Sequence, residues 1–121
     1  AMQIGADGVH FSEGLVRYSL TVRRRAPKNW IITSAVHCRA AVVAAKKAKV
    51  DAILLSSVFP TSSHLDGQPL GILRFSLLAH FASMPVYALG GINYENVNRL
   101  SGSAISGIAA ITGLIRETNN D

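Results

Sequence analysis

The sequence holds a single cysteine, Cys38, so no disulfide can form within the chain. That fits a reducing, cytoplasmic setting. Cys38 itself is expected to be a small buried side chain of a helix. Charged residues make up only 16% of the 121 residues and aromatics 7%, against 49% hydrophobic residues. That balance excludes a disordered chain and fits one globular domain. No run approaches the ~20 unbroken apolar residues of a membrane-spanning helix, and no charged-then-apolar secretory leader is visible. No Gly-x-Gly-x-x-Gly follows any apolar run, which counts against a dinucleotide fold. Nor do aromatics accompany the basic residues. Twelve Lys and Arg against seven Asp and Glu give a net charge of +5, gathered at Arg23, Arg24, Arg25 and Lys28 and at Lys46, Lys47 and Lys49. Without rings to stack on bases, these clusters read as solvated last turns of helices, not as a nucleic-acid surface. A modest positive field suits a small anionic ligand.

What is present is a rhythm. Short apolar runs at 9–11, 30–33, 52–55, 85–89 and 107–111 alternate with longer amphipathic stretches. Near-continuous apolar runs are expected of parallel strands buried on both faces. Comparable points, Val9, Ile31, Ile53, Val86 and Ile108, are separated by 22, 22, 33 and 22 residues. The spacing predicts a βα repeat with one interval stretched, and helices over 15–25, 37–47, 71–82, 93–100 and 112–118, with Asn93 a good N-cap for the fourth. The starts of the strands echo one another: "GADGVHF", "KVDAILL" and "AISGIAA". Such a repeat fits a (β/α) barrel or a doubly wound sheet. A full barrel needs eight strands, and five are visible. The opening "AMQIGADGVHF" reads as the end of a helix entering a strand. Residues 1–121 are therefore expected to be one domain, the C-terminal portion of a longer barrel. Uncovered sheet edges would drive such a chain to self-associate as a homo-oligomer.

Ligands of parallel α/β folds bind at the C-terminal ends of the strands. The residues there are Ser12 and Glu13; Ser34 and His37; a hydroxyl-rich stretch with His64; Gly90, Gly91 and Asn93; and Thr112 and Gly113. The stretch is unusual. Ser56, Ser57, Thr61, Ser62 and Ser63 fall within eight positions, "SSVFPTSS". Gly90-Gly91 lets backbone approach a ligand, and "ITG" at Ile111–Gly113 passes from a strand into a helix, where free N–H groups bind phosphate. Of the other histidines, His10 reads as a packed strand residue and His80 as helix surface.

Taken together, "GADGVHFSEG", "ITSAVH", "VDAILLSSVFPTSSH", Leu70-Gly71, "PVYALGGIN" and "SGIAAITGLI" resemble the thiamine-phosphate synthase/TenI family of (β/α)8 barrels. The match covers essentially the whole chain and corresponds to strands four to eight. The resemblance implies a partial TIM barrel of about five parallel βα units. It implies thiamine biosynthesis: coupling of a pyrimidine diphosphate to a thiazole phosphate with release of pyrophosphate. It makes Thr61 and Ser63 substrate-binding, with Ser34 beside the position of a further family serine, and Gly90, Gly91, Ile111 and Thr112 the phosphate cradle. It also implies magnesium, yet Leu15 stands at the expected metal-binding Asp, leaving Glu13 as a nearby candidate carboxylate. His64 stands where the family has a lysine, and can donate to a diphosphate. The TenI branch implies a second reading, an aminothiazole tautomerase with His37 as acid/base. A third is a non-catalytic thiazole-phosphate-binding barrel.

Overall fold

The computed structural model describes residues 2–62, 67–111 and 113. Five strands form one sheet: β1 (Gly8–Phe11), β2 (Ile31–Val36), β3 (Ala52–Leu55), β4 (Val86–Leu89) and β5 (Gly107–Ala109). All are parallel and their spatial order is their chain order. A doubly wound sheet reverses its strand order partway; a barrel does not. The unbroken order therefore decides between the two architectures left open by the repeat, and the fold is five consecutive units of a (β/α) barrel.

The register aligns Phe11 with Ser34, Ser34 with Ile53, and Ile53 with Val86. Side chains alternate across each strand, so these share a face with Ile32, Val36, Leu55 and Ala88. That face is buried against α2 (Arg39–Lys47) and α3 (Gly71–Ala82), whose Val42, Ala45, Phe75, Leu78 and Ala82 complete one apolar cluster. The opposite face is open. It carries His10, Thr33, Leu54 and Tyr87, and its Ile31 remains 59% exposed. Burial on both faces, expected from the apolar runs, holds for one face only. The described helices pack on the outer side, and the concave side has no covering layer among the described residues.

The helices follow the predicted rhythm with local departures. The first opens as a 3-10 helix, Glu13–Tyr18, before α1 (Ser19–Arg25). Ser19 is buried and its Oγ donates to the Ala48 carbonyl at 2.7 Å, fastening α1 to the end of α2. The second begins at Arg39 because Cys38 holds an extended N-cap conformation. Cys38 is thus half-buried at a cap, not inside a helix. The third forms as predicted. The fourth shrinks to a 3-10 turn, Val97–Leu100. Asn93 Oδ1 accepts from the N–H groups of Glu95 and Asn96, and Asn96 Nδ2 donates to the Gly91 carbonyl at 2.7 Å. These side-chain bonds offer the backbone an alternative to helix. The helix predicted over 112–118 lies outside the described residues, apart from Gly113. Arg23, Arg24 and Arg25 end α1, and Lys46 and Lys47 end α2, where cations complement the helix dipole.

The lower rim of the sheet is tied by Asp51, in the second of the echoing strand starts. Its Oδ2 accepts from the Ile32 N–H at 2.6 Å and from Arg23, whose other Nη donates to the Trp30 carbonyl at 2.7 Å. Partial burial works to raise the Asp51 carboxyl. The Ile32 N–H and then the Arg23 guanidinium outweigh it and hold the group below its ordinary value. A carboxylate so lowered contributes stability above its unfolded value, and that contribution is lost as pH falls through the folded value. Asp51→Asn should therefore lower the melting temperature at neutral pH, and the gap to the parent should close below about pH 4. Thermal melts across pH 2–7 check this; a gap constant with pH contradicts it.

Candidate functional site

The exits of β3, β4 and β5 meet around one cleft of about 490 Å3. Its walls include Ser56, Ser57, Thr61 and Ser62 from the loop after β3, Gly90, Gly91 and Asn93 after β4, and Ala110, Ile111 and Gly113 after β5. His37, at the exit of β2, closes one side.

The loop after β3 owes its shape to two apolar anchors. Val58 and Phe59 are buried, splitting the hydroxyl run in two. Backbone bonds fix them: the Val58 N–H donates to the Leu89 carbonyl and the Phe59 N–H to the Gly90 carbonyl, both at 3.1 Å. In return the Leu70 and Gly71 N–H groups donate to the carbonyls of Ser57 and Val58, at 2.8 and 3.1 Å. The loop is thus stitched to the end of β4 on one side and to the start of α3 on the other. The Ser57 hydroxyl is spent within the loop, donating to the Phe59 carbonyl at 2.7 Å. Ser56, Thr61 and Ser62 line the cleft wall.

The glycines explain how the turn fits beneath this loop. Gly90 and Gly91 have φ of 99° and 66°, a region that favours glycine. A Cβ on Gly90 would collide with Ser57, and one on Gly91 with the carbonyl oxygen of Pro60. The missing side chains make room for the hydroxyl loop itself.

Glu13 and His37 form the other notable contact. Glu13 Oε2 accepts from the His37 backbone N–H at 3.0 Å and lies 2.6 Å from its Nδ1. Cys38 Sγ lies 3.9 Å from the other carboxylate oxygen.

A family model described as thiamine monophosphate synthase matches residues 1–114. The chain belongs to that family. It is 35% identical to a putative thiamine-phosphate synthase 2 of Aquifex aeolicus, over 93% of this chain and 59% of the relative. It is 34% identical to the thiamine-phosphate synthase of Methanoregula boonei, over 95% and 53%. Among solved structures it superposes on a thiamine phosphate pyrophosphorylase from Pyrococcus furiosus with a TM-score of 0.75 and 28% identity, covering 92% of this chain and 52% of the other. The chain spans a little over half the length of these relatives.

Against the thiamine-phosphate synthase pattern, the structure brings His37, Thr61, Gly90, Gly91 and Ile111 to one cleft. Ser63, His64 and Thr112 lie outside the described residues. Ser34 is misplaced as a ligand group: it is 1% exposed on the helix-covered face, with Oγ donating to the neighbouring Ala35 carbonyl at 3.2 Å. Strand alternation turns it away from the open face, a consequence of register. His10 is not packed but exposed on the open face, its Nδ1 2.9 Å from Thr33 Oγ1. His80 lies exposed on α3, its Nδ1 donating to the Ser76 carbonyl at 2.8 Å. His37 sits in the turn before α2, not in the helix.

Leu15, at the position of the expected metal-binding Asp, offers only hydrocarbon, and Glu13 is engaged by His37. Among the described residues no group of three or more His, Cys, Asp or Glu is gathered. Sequence reasoning missed the pairing of Glu13 with His37, and Gln68 and Leu70 as cleft walls. The signal for the pair was present, since each residue closely follows the end of a neighbouring parallel strand.

Gly91 and Gly102 make a matched pair for testing the glycine argument. Both have positive φ, but a Cβ on Gly102 meets nothing within 4 Å. Left-handed backbone costs a non-glycine residue about 1 kcal/mol or more at either site. Gly91→Ala should cost clearly more in denaturant melts, because the Pro60 carbonyl must also move. Equal losses would show that the turn does not depend on the contact with the loop.

Proposed function

We propose that the chain builds the thiazole-phosphate side of a thiamine-phosphate synthase site, where a pyrimidine diphosphate is joined to thiazole phosphate and pyrophosphate leaves. The observation that carries this reading is the meeting of the hydroxyl loop, the Gly90-Gly91 turn and the β5 exit around one cleft. Backbone at Gly90, Gly91, Ile111 and Thr112 would cradle the phosphate, and Thr61 and Ser63 would bond the substrate. His64 would donate to the diphosphate in place of the family lysine. No step is assigned to magnesium. The setting proposed is cytoplasmic, and no described helix is long and apolar enough to cross a membrane.

A tautomerase is the second reading, favoured by the carboxylate–imidazole contact at the cleft edge. A positioned acid/base contributes typically ~10²–10⁴-fold to a rate without any metal. Assaying both reactions with the parent and His37→Asn separates the two: loss of proton exchange with ligand binding retained favours the tautomerase. Magnesium-dependent coupling untouched by the change favours the synthase.

The binding reading has its own test. Calorimetry with thiazole phosphate should show saturable binding that magnesium leaves unchanged. Asn93→Asp keeps the Oδ1 that caps the turn and adds a negative charge to the cleft wall. At an effective dielectric constant near 20, a like charge several ångströms from the phosphate costs over 1 kcal/mol, so affinity should fall about tenfold or more. The melting temperature should hold. No binding by the parent, or equal affinity in the variant, overturns the assignment.

In solution the chain is proposed to self-associate. Strands β1 and β5 are the outer strands of the sheet, and Ile31 and Tyr87 expose apolar surface on its open face. Light scattering at micromolar concentration should give a mass above that of one chain; a stable monomer contradicts this.

A further inference from the structure

We propose that Glu13 is a positioning residue that holds His37 in the Nδ1–H tautomer and leaves Nε2 as the nitrogen available to the cleft. Parallel register places the exits of β1 and β2 side by side, and the two residues stand just beyond them. One carboxylate oxygen of Glu13 takes both the backbone N–H and the ring Nδ1 of the same histidine, at 3.0 and 2.6 Å. An ionised carboxylate has lone pairs and no hydrogen to give. Nδ1 must therefore carry the hydrogen, in the neutral ring as in the cation. The remaining nitrogen, Nε2, then has a free lone pair when the ring is neutral and donates when it is protonated.

The carboxylate is itself oriented. Its second oxygen lies within reach of the weak S–H donor of Cys38, the residue next to His37. Its plane is thus set from both sides by the turn it stabilises. The two side chains are 46% and 37% exposed, and an exposed pair of this kind adds little to stability. The backbone contact alone would hold the turn. The ring contact adds something else: a fixed imidazole orientation and a fixed proton position at the edge of the cleft that His37 lines.

The chemical consequence is a proton relay with no co-reactant. Neutral His37 takes a proton from a bound heterocycle at Nε2, leaving the electron pair on the ligand. The imidazolium is held by Glu13 through Nδ1–H. The proton returns from Nε2 to another atom of the ligand, so the proton count of protein and ligand is unchanged. This use of the dyad rests on the reading that the cleft holds a heterocyclic phosphate; the tautomer assignment does not.

The experiment is nitrogen-15 NMR of the imidazole on the folded chain at a pH where the ring is neutral, with His37→Asn to assign the signals. The parent should show a protonated Nδ1 and an unprotonated Nε2. Glu13→Ala should lose that preference, while Glu13→Gln, which keeps an acceptor oxygen, should retain it. A role confined to holding the turn would not move the tautomer. An Nε2–H ring in the parent, or an unchanged Nδ1–H ring in Glu13→Ala, overturns the proposal. Should Glu13→Ala fail to fold, the parent spectrum and Glu13→Gln still decide, because loss of the Nδ1–H form in either contradicts it. Calorimetry with thiazole phosphate on the same samples keeps the two claims apart. Absent binding in the parent removes the ligand reading, and the spectra still decide the role of Glu13.

Discussion

The site depends on a close approach of backbone to backbone. The loop after β3 lies on the turn after β4, joined by the Val58 and Phe59 N–H groups donating to the carbonyls of Leu89 and Gly90. That approach is open only because Gly90 and Gly91 carry no Cβ and adopt positive φ. Remove either condition and the segment that carries Ser56, Thr61 and Ser62 no longer sits against the turn after β4. Burial of Val58 and Phe59 supplies the driving force, and glycine supplies the room.

This constraint links the repeat to the chemistry. Each βα unit delivers its exit residues to the same rim because the strands are parallel and in chain order. The lower rim is used differently. There Asp51 and Arg23 tie the start of β2 to the start of β3 and touch no part of the cleft. The division matches the general habit of barrel folds, in which the upper rim carries function and the lower rim stability.

Much of this was legible in the sequence. The short apolar runs located all five strands, and Gly71–Ala82 forms as its apolar spacing predicted. The glycine pair and Thr61 were legible as cleft residues because strand exits and hydroxyl runs are local features. Other elements were not. The fourth helix failed because Asn93 and Asn96 turned their side chains onto nearby backbone, a competition that propensity does not resolve. Ser34 read as a ligand group because sequence position places it near the rim, whereas register decides which face it shares. His10 read as packed because its neighbours are apolar, yet it lies on the open face. Glu13 read as a metal candidate because the contact that engages it comes from a residue 24 positions away.

The central claim is that the exits of β3, β4 and β5 form one phosphate-binding cleft. Titrating thiazole phosphate into the isotope-labelled chain and following backbone amide shifts tests it most directly. The account predicts saturable shifts at Gly90, Gly91, Ile111 and Gly113, with Asp51 and Ile32 at the lower rim unmoved. Shifts confined to the lower rim, or none at the glycine turn at saturating ligand, would contradict it.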